Sequence, residues 1–277
     1  MVFRNARLAG LISLLLLGAT AFPAPAWNQL PLLTDSPCVL PAGQLQFHVG
    51  LQYLSNKNFP FSQFSEDSGR DVLSLPTWGV HLGLGKRAEL SLRHEVLFVE
   101  EEALLVREQW TSGDLSLFTK IELWRERQRL PGVGLKTGVK LPNASNDYRV
   151  GTDETDFAVT ALVEKTVSPI IITANLGLLI LGNPFENARQ DDLLAYGIAC
   201  SFPWNERIVV SAEIAGQAFG SSHNQRSSAI LQTHIRDGAL TWHLAGRAGL
   251  IENSEDWGLS AGVSLTLDSL TSWAAGK

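Results

Sequence analysis

The 277-residue chain is 45% hydrophobic and 18% charged, and its formal charge of −6 argues against a nucleic-acid partner. Two cysteines are too few for a disulfide-stapled scaffold. Past residue 26 nothing approaches the roughly 20-residue apolar run of a spanning helix, so the apolar content must be dispersed.

The first 26 residues carry Arg4 and Arg7, then an apolar stretch over 8–22, and close on Ala24-Pro25-Ala26. That order reads as a secretory signal peptide, with an uncleaved anchor as the alternative. Its removal makes Trp27 the first residue and moves the formal charge from −6 to −8. A bridge between Cys38 and Cys200 stays open, because sequence does not place two sulfurs within bonding range.

Strand-like alternation begins at 44–54. Leu45, Phe47, Val49, Leu51 and Tyr53 take one parity, and Gln44, Gln46, His48, Gly50 and Gln52 the other. A long polar stretch holding Lys57 follows, and 77–85 returns with Trp78, Val80, Leu82 and Leu84 on the oily parity. In 89–98 Leu90, Leu92, Val96 and Phe98 oppose Glu89, Ser91, Arg93 and Glu95. Segment 114–124 sets Leu115, Leu117, Ile121 and Leu123 against Ser116, Lys120 and Glu122, with Phe118 and Trp124 on the wet parity. Segments 132–141 and 155–164 continue the pattern, placing Lys136, Lys140, Asp156 and Glu164 on the polar side. The stretch 170–180 is apolar on both parities except at Thr173, Asn175 and Gly177. Segments 194–202, 208–217, 228–235, 240–250 and 257–267 complete twelve strands.

Short connections alternate with generally longer ones, as in outer-membrane barrels with short periplasmic turns and long external loops. Charge falls almost wholly on one parity. That parity is rich in Gly, Ala and Ser, while Tyr53, Trp78, Tyr196, Phe202, Trp242 and Trp257 sit on the oily parity near strand ends, as girdle aromatics do. The expected fold is therefore all-β, a transmembrane antiparallel up-and-down β-barrel of about twelve strands, oily face outward. A secreted soluble sandwich is the alternative. The expected domains are a signal peptide (1–26), a periplasmic N-terminal segment (27–43), an outer-membrane barrel (44–268) and a C-terminal tail (269–277).

With this parity the lumen receives Glu89, Arg93, Glu95, Lys120, Glu122, Lys136, Lys140, Asp156, Glu164, Glu213 and Arg247. Lys120, Glu122, Lys136, Lys140, Asp156, Glu164, Glu213 and Arg247 are the candidates for a constriction that selects solute. Lys136 and Lys140 share a face about 13 Å apart and are expected to pair with acids of adjoining strands. An ordinary salt-bridge network across a narrow lumen is the competing account. His48, His81, His234 and His243 also point inward. No HExxH, CxxC, GxSxG or phosphate-loop pattern accompanies them, so no catalytic residue, metal or cofactor is expected. A Ser-His-acid set gathered from distant strands, as in outer-membrane lipases, is recognisable only by geometry.

The stretches "GDLSLFTKIEL", "GVGLKTGVKLP", "GTDETDFAVTALVEKTVSPIIITANLGLLILG" and "LAYGIACSFPWNERIVVSAEIAG" resemble the outer-membrane transporter family named for the meta-pathway of phenol degradation. The likeness runs over residues 75–268 and is clearest over 113–216. It implies a barrel in the bacterial outer membrane that passes small, uncharged or aromatic and hydrophobic solutes. Lipid and the barrel assembly machinery are then its partners. A non-transporting barrel with a structural or surface-binding role is the alternative, and an outer-membrane hydrolase a more distant one. The chain departs from common barrel practice in ending "DSLTSWAAGK", without a terminal aromatic residue.

Overall fold

A computed structural model of the protein describes residues 33–61, 70–100, 109–144, 150–184 and 189–268. The expected leader and C-terminal tail lie outside the described residues. Thirteen strands follow in order: β1 (Leu45–Lys57), β2 (Arg70–Gly83), β3 (Ala88–Glu100), β4 (Gln109–Ser112), β5 (Leu115–Trp124), β6 (Gly132–Leu141), β7 (Asp156–Val167), β8 (Ile170–Gly182), β9 (Gln190–Pro203), β10 (Ile208–Ala218), β11 (Arg226–Asp237), β12 (Leu240–Gly249) and β13 (Trp257–Leu267). Every pairing is antiparallel and joins strands consecutive in the chain, except that β3 pairs with β5 as well as with β4 and that β1 pairs with β13, from Leu45 opposite Leu267 to Ser55 opposite Trp257. The sheet therefore closes on itself and leaves no edge, the arrangement a bilayer demands of strands.

Strands β4 and β5 occupy one place in the ring. Both pair with β3, Val96 opposite Ser112 and Arg93 opposite Ser116, so the register slips by one residue at Gly113 and Asp114. The Gly113 N–H still donates to the Glu95 carbonyl at 2.8 Å. Twelve strands close the barrel, and β4 is the outer extension of one of them. Strand β2 begins seven residues before the stretch read as strand, because Pro76 falls at a register shift between Ser74 and Thr77. A bulge is where a strand tolerates proline. Lys57, expected in the first loop, is the last residue of β1.

Exposure follows the parity. Phe157, Val159 and Leu244 are 53%, 48% and 54% exposed, whereas Glu89, Lys120 and Glu213 are 1%, 2% and 3% exposed. Such an inverted pattern is a lipid-facing wall around a polar interior. The ambiguous 170–180 stretch resolves likewise, with Leu176 and Leu178 outward and Thr173 buried. Trp124 departs from the wet parity because a register shift between Glu122 and Trp124 turns it out. There its indole N–H donates to the Pro131 carbonyl at 3.0 Å.

Ahead of β1, the chain from Leu33 to Pro41 lies inside the barrel rather than beyond its periplasmic mouth. It runs inward from the end carrying the short turns, with Leu33 the innermost of its described residues. The wall makes room with glycine: a Cβ on Gly83 would stand 2.0 Å from the Pro41 carbonyl oxygen, on Gly197 2.3 Å from Thr34 Oγ1, and on Gly134 3.0 Å from Pro37 Cβ.

Candidate functional site

What the barrel can do depends on its lumen, and the lumen is organised by this segment. Alternation aims one side chain in two from each strand at the axis, so acids and lysines of β3, β5, β6, β7 and β10 point into the lumen. Asp35 is the focus. Its carboxylate meets Lys136 Nζ at 2.9 Å and Lys120 Nζ at 3.3 Å, and Lys120 also lies 3.7 Å from Glu89. Burial by itself would raise the Asp35 carboxyl, but Lys120 and then Lys136 overcome it and hold the group well below the usual carboxylate range. The Asn175 carboxamide, turned to suit its neighbours, accepts from the Asp35 N–H at 2.7 Å and donates to the Asp35 carbonyl at 2.9 Å.

Backbone donors of the segment meet the remaining acids. Leu40 N–H donates to Glu89 at 3.0 Å and Leu33 N–H to Glu213 at 3.1 Å, with Thr34 N–H on the same Glu213 carboxylate. Cys38 Sγ lies 3.8 Å from Glu164, which also accepts from Thr173 at 3.1 Å. Burial first, and Glu164 beside it second, push the Cys38 thiol up to about 11. Cys200, on the lipid face of β9, is also a free thiol, so the two are not bridged.

The other candidates stand apart from this centre. Lys140 pairs with Asp156 at 2.8 Å and with Asp114 at 3.1 Å, towards the long-loop end. Glu122 meets Arg125 at 2.9 Å in the turn after β5, and Arg247 meets Glu255 at 3.3 Å beside β13. Lys136 therefore finds its acid on the segment, not on an adjoining strand. Sequence reasoning missed Asp35 altogether, although a signal existed: Lys120 and Lys136 are directly opposite across β5 and β6. Like charges so placed repel and call for an acid between them.

On the side of the barrel that the segment does not grip, β1, β11 and β12 present the histidines, and β13 presents Ser264. His243 Nδ1 is 2.9 Å from His234 Nδ1, and His243 Nε2 is 2.7 Å from Ser264 Oγ, which also lies 3.2 Å from His48. A ring-nitrogen pair of this kind needs one proton and one lone pair, so at least one of the two imidazoles is neutral. His81 lies elsewhere, 3.2 Å from Glu89. Among the described residues no set of three His, Cys, Asp or Glu side chains is arranged to hold a metal ion.

Three cavities flank the segment. Two, of about 370 and 280 Å³, meet Leu33 on the long-loop side. The third, about 530 Å³, lies between Val39, Leu40 and Pro41 and the wall carrying Gln46, His234 and His243. His243 borders both the second and the third.

No protein-family model matches the chain, and none of the curated proteins does. Among solved structures, the chain is similar to the COG4313 outer membrane channel from Pseudomonas putida F1, with a TM-score of 0.62 at 11% identity over 83% of this chain and 97% of that one. It is also similar to the NanC porin, with a TM-score of 0.54 at 9% identity over 80% of this chain and 100% of that one. At such identities the likeness is one of fold. Together with the lipid-facing wall, it places the chain among bacterial outer-membrane β-barrels.

Proposed function

We propose that the protein is an outer-membrane channel for small aromatic or hydrophobic solutes. The observation that carries this reading is the unfilled space on both sides of the segment. A barrel serving only as a rigid wall would pack its interior, whereas cavities of about 370 and 530 Å³ lie on opposite sides of the Leu33–Pro41 segment. For scale, a cavity of about 150 Å³ accepts benzene. The solute class rests on the motif resemblance to the transporters named for the meta-pathway of phenol degradation, and delivery to the membrane by the barrel assembly machinery belongs to the same reading.

The segment's grip favours a second reading, a closed barrel without transport, since Asp35, Leu33, Thr34 and Leu40 are all held by lumen side chains. Liposome swelling with benzyl alcohol, phenol and sugars separates the two. The channel reading expects swelling by the aromatic solutes beyond that of protein-free liposomes. Correctly folded protein that gives none supports the closed barrel.

A further inference from the structure

The cavity of about 370 Å³ at the long-loop end is lined by four cations, Lys57, Lys136, Arg226 and Arg247, and by one acid, Glu255. Two of these cations are spoken for, Lys136 by Asp35 at 2.9 Å and Arg247 by Glu255 at 3.3 Å. Glu255 is further occupied by the Ser228 hydroxyl at 2.8 Å. Lys57 and Arg226 have no carboxylate within ion-pair distance among the described residues. Lys57 instead stands 4.8 Å over the Phe59 ring, and Glu95 and Glu255 act on it only from farther away. The Nε and Nη2 of Arg226 are buried without a hydrogen-bond partner. That pair forms the edge of a guanidinium which a carboxylate engages through two parallel bonds.

Unsatisfied cations in a confined space are costly and call for an anion. The same cavity also offers apolar surface at Leu33, Leu54 and Phe118, the last with Lys136 Nζ 4.7 Å over its ring. A ligand that suits both the cations and this apolar surface carries one carboxylate on a compact apolar body. We propose that this cavity is a binding site for monocarboxylates with an aromatic or similarly compact apolar body, received by Arg226 and Lys57. The inference adds compact apolar monocarboxylates to the solutes of the channel reading, and it rests on that reading only for the step of passage.

Benzoate and benzyl alcohol share a ring and differ in charge, so they serve as probes. Their binding to the refolded, detergent-solubilised barrel is measured by ligand-observed NMR at low and high salt. Benzoate is expected to bind at least tenfold more tightly than benzyl alcohol, to weaken with salt, and to lose tenfold or more in Arg226→Gln and in Lys57→Gln. Arg226→Lys should recover part of the loss, and Lys86→Gln, in an exposed turn at the other end, should change nothing. Two separate substitutions keep the test informative if one fails to fold. Equal binding of the two probes, or full benzoate binding in both glutamine variants, overturns the proposal. Swelling assays with the same solutes separate the two readings: binding without permeation upholds the site and removes the channel, and permeation without benzoate binding does the reverse.

Discussion

Replacing Asp35 with alanine removes the acid that, among the described residues, pairs with both Lys120 and Lys136. At an effective dielectric of about 20, charges 2.9 and 3.3 Å apart attract by about 5–6 kcal/mol each before desolvation is deducted. Removing one member of a buried pair leaves a net loss of about 3–5 kcal/mol. Three N–H donors, from Leu33, Thr34 and Leu40, still hold the segment to Glu213 and Glu89, so it loosens without leaving. At ~1.4 kcal/mol per factor of ten, its open population should rise by roughly two orders of magnitude or more. Cys38 lies on the segment beside Glu164 and reports this directly. In a Cys200→Ala background, maleimide alkylation of Cys38 is expected to accelerate about 100-fold or more in Asp35→Ala, provided that opening and reclosing are fast relative to labelling. An unchanged rate in a folded barrel would refute the reasoning that the two lysines hold the segment through Asp35.

Acidification gives a second test of the same group. A carboxyl held below its usual value contributes fully above the ordinary carboxylate pKa and loses that contribution only as pH falls beneath it. Cys38 protection attributable to Asp35, read with a pyridyl disulfide that reacts at low pH, should therefore persist from pH 7 to about 5 and decline only below about 4. Val159→Arg places a cation on the lipid face and should cost about 2–4 kcal/mol in folding into liposomes, while Ala158→Arg, lining the lumen cavity, should leave folding less affected and reduce conductance. Equal folding penalties at the two positions would overturn the lipid-facing assignment. Lys136→Glu should raise conductance in planar bilayers and move ion preference toward cations, whereas Lys86→Glu should move neither; Lys57 is no control here, because it lines the same cavity as Lys136.

The barrel was legible because its physics is periodic. Side chains alternate faces, lipid and lumen demand opposite chemistry, and so Val159 and Thr160 declare their sides without any knowledge of neighbours. Legibility fails where the period breaks. Pro76 hid the first half of β2, and a bulge turned Trp124 outward against its parity. It fails more completely for "LTDSPCVLP", which has no period at all and meets its lumen partners across long sequence separations, as Asp35 does with Lys120 and Lys136. Parity says which face a strand residue takes, but pairing depends on what the lumen contains, and strand parity carries no information about a guest. The facing lysines of β5 and β6 were the nearest thing to a sign.

The three glycines beneath the segment make a mould of it in the wall. Gly83, Gly134 and Gly197 sit on three separate strands and touch one another nowhere along the chain, yet an added Cβ at each would meet the same occupant. An empty barrel would accept a methyl group at Gly83 and, with slight give from Ala215, at Gly197, whereas at Gly134 the Ile121 carbonyl oxygen would still stand 3.0 Å away. An occupied barrel would refuse all three, so the positions are coupled: a sequence that abandons the inner segment frees Gly83 and Gly197 to drift and relaxes Gly134, and one that keeps it must keep them bare. Their joint variation in a library selected only for folding would therefore record, without any probe of the interior, whether the tenant is at home.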